Sequence, residues 1–446
     1  MVYDYIVVGA GIAGMLTAAM LTKDNKKVAV LEKNKVAGGY LQDIIPGVPF
    51  GAHHIGIPNK TILQQFTGAL NIPVEKHLRH ADEVNVLRNE KTIRLSLELS
   101  MQKEQIKELF PEESDSAEKY FKYMTDFSDV LYSGDDRAVR KFFVELSSIS
   151  FERFLRKYFK SEELIDLLSF IGPSYGGVTK EDSAFTFASL VVTYGSGAYY
   201  LETEWFIKEL SRCVLESGLG DMFYDYEAMA MSYDERDRCY VLTSKNHQSV
   251  KGIKVVFASY FNDILSGYCQ NEEITSNPLK KVFAMEVGPS AYRFYLKTKK
   301  QLTRQENVIM GDFPAIVSTL EEDSCNIMVT FVSDKQLTKD EYLSTAKKLA
   351  SQALEENESN LELILESSPE HKRNMTANKG GAVFGWKRNN ANNMTANLIY
   401  NLNSQVKDVY VVGNWGATFG FFGALYTVKK FLEKTESELD LKGMAS

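Results

Sequence analysis

A chain of 446 residues is long enough for two domains, or for one cofactor domain carrying a large insertion. Its 44% hydrophobic and 25% charged residues are those of an ordinary globular protein, and 12% aromatics suit a pocket for a conjugated ligand as readily as a large core. A formal net charge of −8 excludes nucleic acid as the main partner, because phosphate binding needs a basic face.

The first predicted element is a strand over residues 3–8, a β-branched run of the kind buried in a parallel sheet. Gly9-Ala10-Gly11-Ile12-Ala13-Gly14 then turns the chain into a helix over 12–22. Gly9 allows the tight turn, Gly11 lets the backbone approach a pyrophosphate, and Gly14 lets the helix lie close on the strand. The phosphates belong at the helix N-terminus, where free N–H groups and the macrodipole favour negative charge. A second strand over 28–31 ends in Glu32, followed by Lys33. Roughly 20 residues past the glycines, a carboxylate can accept both ribose hydroxyls and works against a 2′-phosphate. Gly38-Gly39-Tyr40 is either an ordinary turn or a second backbone approach to the phosphates, with Tyr40 where arginine often stands.

Residues 85–172 are expected to be mostly helical. Within 151–170, Phe154, Leu155, Tyr158, Phe159, Leu164, Leu167 and Leu168 recur at helical spacing as a core stripe. Glu112-Glu113-Ser114-Asp115 is expected to be a solvated loop. An amphipathic helix over 202–215 and strands over 240–243 and 252–258 follow. Between 280 and 395 the pattern alternates, as in Ala291-Tyr292-Arg293-Phe294-Tyr295-Leu296-Lys297, before a charged helix over 339–356. Such alternation implies a half-buried sheet with one face on a core or cavity. A last buried strand over 409–412 runs into Gly413-Asn414-Trp415-Gly416 and then Gly420-Phe421-Phe422-Gly423-Ala424, which opens the final helix.

Two glycine-rich segments at opposite ends of a chain suit an FAD lying extended across one domain. One segment holds the pyrophosphate, and the other closes over the ribityl and flavin end. Helix N–H groups at 420–424 would stabilise negative charge on a reduced flavin ring, while Phe421 and Phe422 dock that helix on the sheet.

Four stretches carry a family resemblance. Pro49-Phe50-Gly51-Ala52-His53-His54-Ile55-Gly56 resembles a motif of the retinol saturase and carotenoid isomerase branch of the phytoene desaturase family, with His53 on its histidine and His54 in place of its tyrosine. The segment 173–200, with Tyr175-Gly176, Ser183-Ala184-Phe185 and Tyr194-Gly195-Ser196-Gly197-Ala198-Tyr199-Tyr200, is similar to the same branch's central segment. Gly381-Ala382-Val383-Phe384-Gly385-Trp386 resembles its late strand, and 409–429 its C-terminal FAD segment. The first and last motifs are shared with amine oxidases and porphyrinogen oxidases. Leu201-Glu202-Thr203-Glu204 replaces the usual proline and glycine pair, and Asn414 replaces an acid, so the chain resembles a divergent member.

The resemblance implies an α/β fold with α+β inserts: a discontinuous Rossmann-like FAD domain over 1–75, 200–275 and 396–446, and a substrate domain over 76–199 and 276–395. It implies FAD held by Gly9 to Gly14, Glu32, Lys33, Gly38, Gly39, Tyr40, Gly413, Asn414, Phe421, Phe422, Gly423 and Ala424. His53 and His54 are the candidates for acid–base work, or else turn histidines bonded to backbone or cofactor. Tyr194, Tyr199, Tyr200, Trp386 and Trp415 are either walls for a flat apolar substrate or core packing.

The implied activity is desaturation, saturation or isomerisation of carbon–carbon double bonds in an apolar polyene or isoprenoid-like molecule. The alternatives are an amine or porphyrinogen-type oxidase, and a flavin-binding subunit without turnover. Cys213, Cys239, Cys269 and Cys325 lie far apart with no metal or redox spacing, so they are expected to be free thiols in a reducing compartment. No metal is expected. The chain begins almost at its first strand and holds no long apolar run, so cytoplasm is the expectation, with peripheral membrane contact left open.

Overall fold

The strands Val2–Val8 and Val28–Leu31 sort their side chains by parity. Tyr5, Val7, Val28 and Val30 join one apolar cluster, whereas Ile6, Val8, Ala29 and Leu31 join another on the opposite face. A strand covered on both faces must be apolar throughout, which is why these runs show no polar alternation. The structure is a computed structural model that describes residues 1–45, 48–51, 54–58, 61–81, 83–88, 91–133, 135–311, 313–319, 324–332, 337–416, 418 and 420–435.

Both strands belong to a seven-stranded sheet ordered Gly220–Phe223, Val28–Leu31, Val2–Val8, Ser249–Phe257, Cys239–Ser244, Ala228–Asp234, with Val409–Val411 also paired to Ser249–Phe257. The pairings are parallel except at the antiparallel segment formed by Ala228–Asp234, Cys239–Ser244 and Ser249–Phe257. Helices Ile12–Lys23, Thr203–Glu216 and Gly420–Lys434 cover one face. Asn262–Asn271, Asn277–Phe283 and Asn390–Tyr400 cover the other. Three remote parts of the chain thus meet in one doubly covered sheet.

The second seven-stranded sheet is ordered Glu362–Ser367, Ala291–Leu302, Ser324–Val332, Ala315–Thr319, Glu306–Ile309, Glu83–Arg88, Lys91–Ser96. Here parity separates a core from a cavity. Phe294, Leu296, Val317, Ile327, Val329 and Phe331 bury against Tyr342, Ala346 and Ala350 of the helix Lys339–Leu354. Ala291, Arg293, Glu306, Ile316, Thr330 and Val332 point the other way and line the cavity. The strand Ala198–Leu201 joins His54–Gly56 and Leu78–His80 in a small third sheet beside that cavity.

Several expected elements differ. Residues 83–96 form the hairpin strands Glu83–Arg88 and Lys91–Ser96 instead of helix, because Val84, Val86, Ile93 and Leu95 fall on one face at a period of two. The stretch 151–170 is two short helices, Phe151–Leu155 and Glu162–Leu167, the second capped by the Ser161 side chain. The acidic cluster is not a solvated loop: Glu113 is buried, and its carboxylate accepts from the backbone N–H groups of Lys160 and Ser161 at 2.7 and 2.9 Å. Residues 381–386 do not form a strand. Gly380 and Gly381 take positive φ around a 3-10 turn at Lys379–Gly381, leaving a single bridge from Trp386 to Val287. Among the described residues no helix is long and apolar enough to cross a membrane.

Candidate functional site

One cavity of about 340 Å³ runs from the first glycine turn to the face of the second sheet. At its nucleotide end Gly9 has φ +102°, a turn closed to most side chains. A Cβ on Gly14 would lie 1.9 Å from the Gly9 carbonyl oxygen, so only glycine lets the helix Ile12–Lys23 start this close to the strand. Gly11, the N-cap, is different: nothing lies within 4 Å of where its Cβ would be, and no side chain caps the helix. The first N–H groups of this helix therefore open onto the cleft beside a space a side chain would fill. Its geometry suits a pyrophosphate.

Gly38 and Gly39 have φ +135° and +54°, and the Gly38 N–H donates to the Ala10 carbonyl at 2.8 Å, pressing the two glycine turns together. Glu32 is buried; its carboxylate accepts from Ala10 N at 2.8 Å and from Asn34 N and Nδ2 at 2.9 Å. Burial pushes its pKa up against these hydrogen bonds. At the far end Gly413 has φ +80°, and Asn414 Nδ2 donates to Val383 O at 3.2 Å. Of the residues expected to hold cofactor, Gly9, Gly11, Ile12, Ala13, Glu32, Lys33, Gly38, Gly39, Tyr40, Gly413, Asn414, Phe421, Phe422 and Ala424 line the cavity. Ala10, Gly14 and Gly423 do not, lying behind it as packing positions. The set fits a dinucleotide.

The inner chamber gathers residues from distant segments. His54 stands on the strand His54–Gly56, and its Nδ1 lies 2.6 Å from Glu306 Oε1. Tyr175, from the π-helical turn Gly172–Gly176, donates its hydroxyl to the same carboxylate oxygen, and Ser318 donates to the other at 3.2 Å. Ser318 and Glu306 are register partners on neighbouring strands. Tyr194 closes edge-on over His54 and Tyr175, with ring centroids 5.5 and 4.8 Å away. His54, Tyr175, Glu306 and Ser318 are all under a tenth exposed, yet among the described residues His54 Nε2 has no hydrogen-bond partner. A carboxylate that accepts at Nδ1 fixes an imidazole's tautomer and leaves Nε2 to give or take a proton. Among the residues that line the chamber, this arrangement makes the His–Glu pair the candidate for acid–base work.

The other expected residues divide. His53 lies outside the described residues. Tyr194 and Trp415 line the cavity. Tyr200 does not line it; its ring lies 5.1 Å from His54, beneath the Arg304 guanidinium. Tyr199, one position along, points to the opposite side of the strand against His80. Trp386 is buried behind the site, donating Nε1–H to the Trp415 carbonyl at 2.9 Å. Sequence reasoning missed Glu306, Tyr175, Arg293 and Thr330. The one signal for Glu306 is an acid opening a four-residue strand that is buried at every position.

Residues 7–60 match the family model described as an NAD(P)-binding Rossmann-like domain. Over 230 residues the chain is 30% identical to all-trans-retinol 13,14-reductase of Homo sapiens, a stretch covering 44% of this chain and 37% of that protein. The chain thus spans little more than a third of the curated relatives it matches. Among solved structures, a mutant of putrescine oxidase redesigned in its cofactor binding aligns with a TM-score of 0.71 at 14% identity, over 98% of this chain and 99% of its own. Cyclohexylamine oxidase from Brevibacterium oxydans IH-35A aligns with a TM-score of 0.68 at 13% identity, over 98% and 99%. Over part of its length the chain is thus similar in sequence to the retinol 13,14-reductases, and its fold is like that of these amine oxidase structures.

Proposed function

We propose that the protein is an FAD-dependent oxidoreductase acting on carbon–carbon double bonds of an apolar polyene or isoprenoid-like molecule. The observation that carries this reading is the continuous cavity that joins a dinucleotide cradle to an apolar chamber with a buried His–Glu pair. The likeness to retinol 13,14-reductase supports saturation as the direction. Bound FAD would supply the transfer of a hydride to or from the substrate. The chain's own residues do the rest. Gly11 and the helix behind it would hold the phosphates, Glu32 the ribose, and Gly413, Asn414, Phe421, Phe422 and Ala424 the flavin end. Tyr194, Ile316 and Phe384 wall the chamber against water. His54, oriented by Glu306, exchanges the proton at the carbon next to the one that receives or loses hydride.

The test starts from the purified protein, which is expected to be yellow. Reduced anaerobically and mixed with all-trans-retinol, its flavin should reoxidise while the polyene gains two hydrogens by mass. Flavin that neither oxidises nor reduces against any polyene would overturn the reading in favour of a subunit without turnover. A protein that takes up no flavin, even after refolding with excess, would overturn the cofactor as well.

A further inference from the structure

We infer that the chamber recognises an acidic head group: Arg293 and Thr330 form a carboxylate-binding subsite at the end of the cavity away from His54. This rests on the reading above and narrows its substrate to a long unsaturated acid.

Arg293 and Thr330 are register partners on the antiparallel strands Ala291–Leu302 and Ser324–Val332, and both line the cavity. One guanidinium nitrogen of Arg293 donates to the carbonyls of Phe50 and, at 2.7 Å, Gly51, both neutral. Among the described residues its buried Nε has no hydrogen-bond partner, and neither has the hydroxyl of Thr330, which is 4% exposed. On the other side of Arg293 its register partner is Ser367, whose carbonyl and hydroxyl accept from the fully buried Lys372 Nζ at 2.8 and 2.9 Å. Two basic side chains therefore lie on either side of Ser367, and these hydrogen bonds go only to neutral oxygens. Burial, with Arg293 beside it, holds the Lys372 pKa well below its usual range.

A half-buried guanidinium that leaves a buried donor unused is costly, and such a donor on a side chain lining a cavity is a recognition element waiting for an acceptor. Guanidinium Nε–H beside a hydroxyl suits a carboxylate. The cofactor's phosphates have their own cradle at Gly11, whereas Arg293 shares its sheet face with Ile316 and Val332 of the chamber wall. Glu306 lies three strands away across that face, roughly 14 Å at ordinary strand spacing. A ligand with its carboxylate on Arg293 thus lays its chain along the wall toward His54.

The test is calorimetric binding of all-trans-retinoate and all-trans-retinol to the purified protein. The acid should bind at least tenfold more tightly than the alcohol. Arg293→Gln should bring the two to equal affinity with flavin content unchanged, Arg293→Lys should recover part of the preference, and Thr330→Val should weaken the acid alone by several-fold. Equal affinities in the wild type, or no binding of either ligand, would overturn the subsite. So would an Arg293→Gln protein that loses flavin along with both ligands, which would assign the guanidinium to the cofactor. The acid–alcohol comparison is made on the same preparation whatever its flavin content. Missing flavin therefore strikes the FAD reading alone, and equal affinities strike this one alone.

Discussion

The two ends of the cavity are built on opposite principles. The nucleotide end is made of backbone: Gly9, Gly38 and Gly39 take positive φ to shape its turns, and Gly11 leaves open space where a side chain would stand. The inner end is made of side chains, one from each of several remote segments: His54, Tyr175, Tyr194, Arg293, Glu306 and Thr330. A backbone site has to be contiguous, so it leaves a local signature. A side-chain site needs only sheet register to bring its members together, and no short stretch of chain contains it.

The sharpest way to break the comparison is within the cradle itself, where two glycines three residues apart should fail differently. Gly14→Val drives a Cβ against the Gly9 carbonyl, backbone that cannot yield without moving the turn. The loss should exceed the ~1–3 kcal/mol usual for overpacking, and soluble yield and thermal melting should both collapse. Gly11→Val meets open space instead. It should fold, losing about 1 kcal/mol at most as a poorer N-cap, yet retain no FAD. Stoichiometric flavin in folded Gly11→Val would remove the pyrophosphate from this cradle.

That contrast also explains how much was legible beforehand. The strand, glycine turn, helix and acid at 3–32 could be placed almost to the residue, because each is dictated by its immediate neighbours. The alternating strands at 291–302 and 324–332 were legible as half-buried, and parity did separate core from cavity. Which strand lay beside which was not, since the order of that sheet brings 83–88 next to 306–309 through long-range pairing alone. Glu306 was invisible for the same reason: its partners stand at 54, 175 and 318, and only the fold brings them within hydrogen-bonding reach. Tyr199 and Trp386 stayed open between pocket wall and core because aromatic residues signal burial without saying which lies beside them, and both prove to be core.

The comparison is sharpened at the inner end by Glu306→Gln. Shape and most hydrogen bonds survive, but the amide cannot balance charge on the imidazole of His54. Turnover should fall by about 10²-fold, in the range usual for acid–base groups, with flavin content and KM unchanged. A loss under twofold would make the pair structural. The cradle and the wall would then differ in architecture but not in chemical role.

The smallest effect is expected from Trp386→Phe, a residue behind the wall. Its indole N–H is the donor found for the Trp415 carbonyl, and the two rings meet edge-on at 4.9 Å. Phenylalanine keeps an aromatic in that space but leaves a buried carbonyl without its donor, which costs about 1–3 kcal/mol. Melting should drop by a few degrees, while affinity for flavin and for polyene ligands should change less than twofold. A selective loss of ligand would show that Trp386 shapes the chamber through the position of Trp415, whose ring does line it. Backing residues would then belong to the side-chain half of the site, and its boundary would lie one layer deeper than the cavity surface.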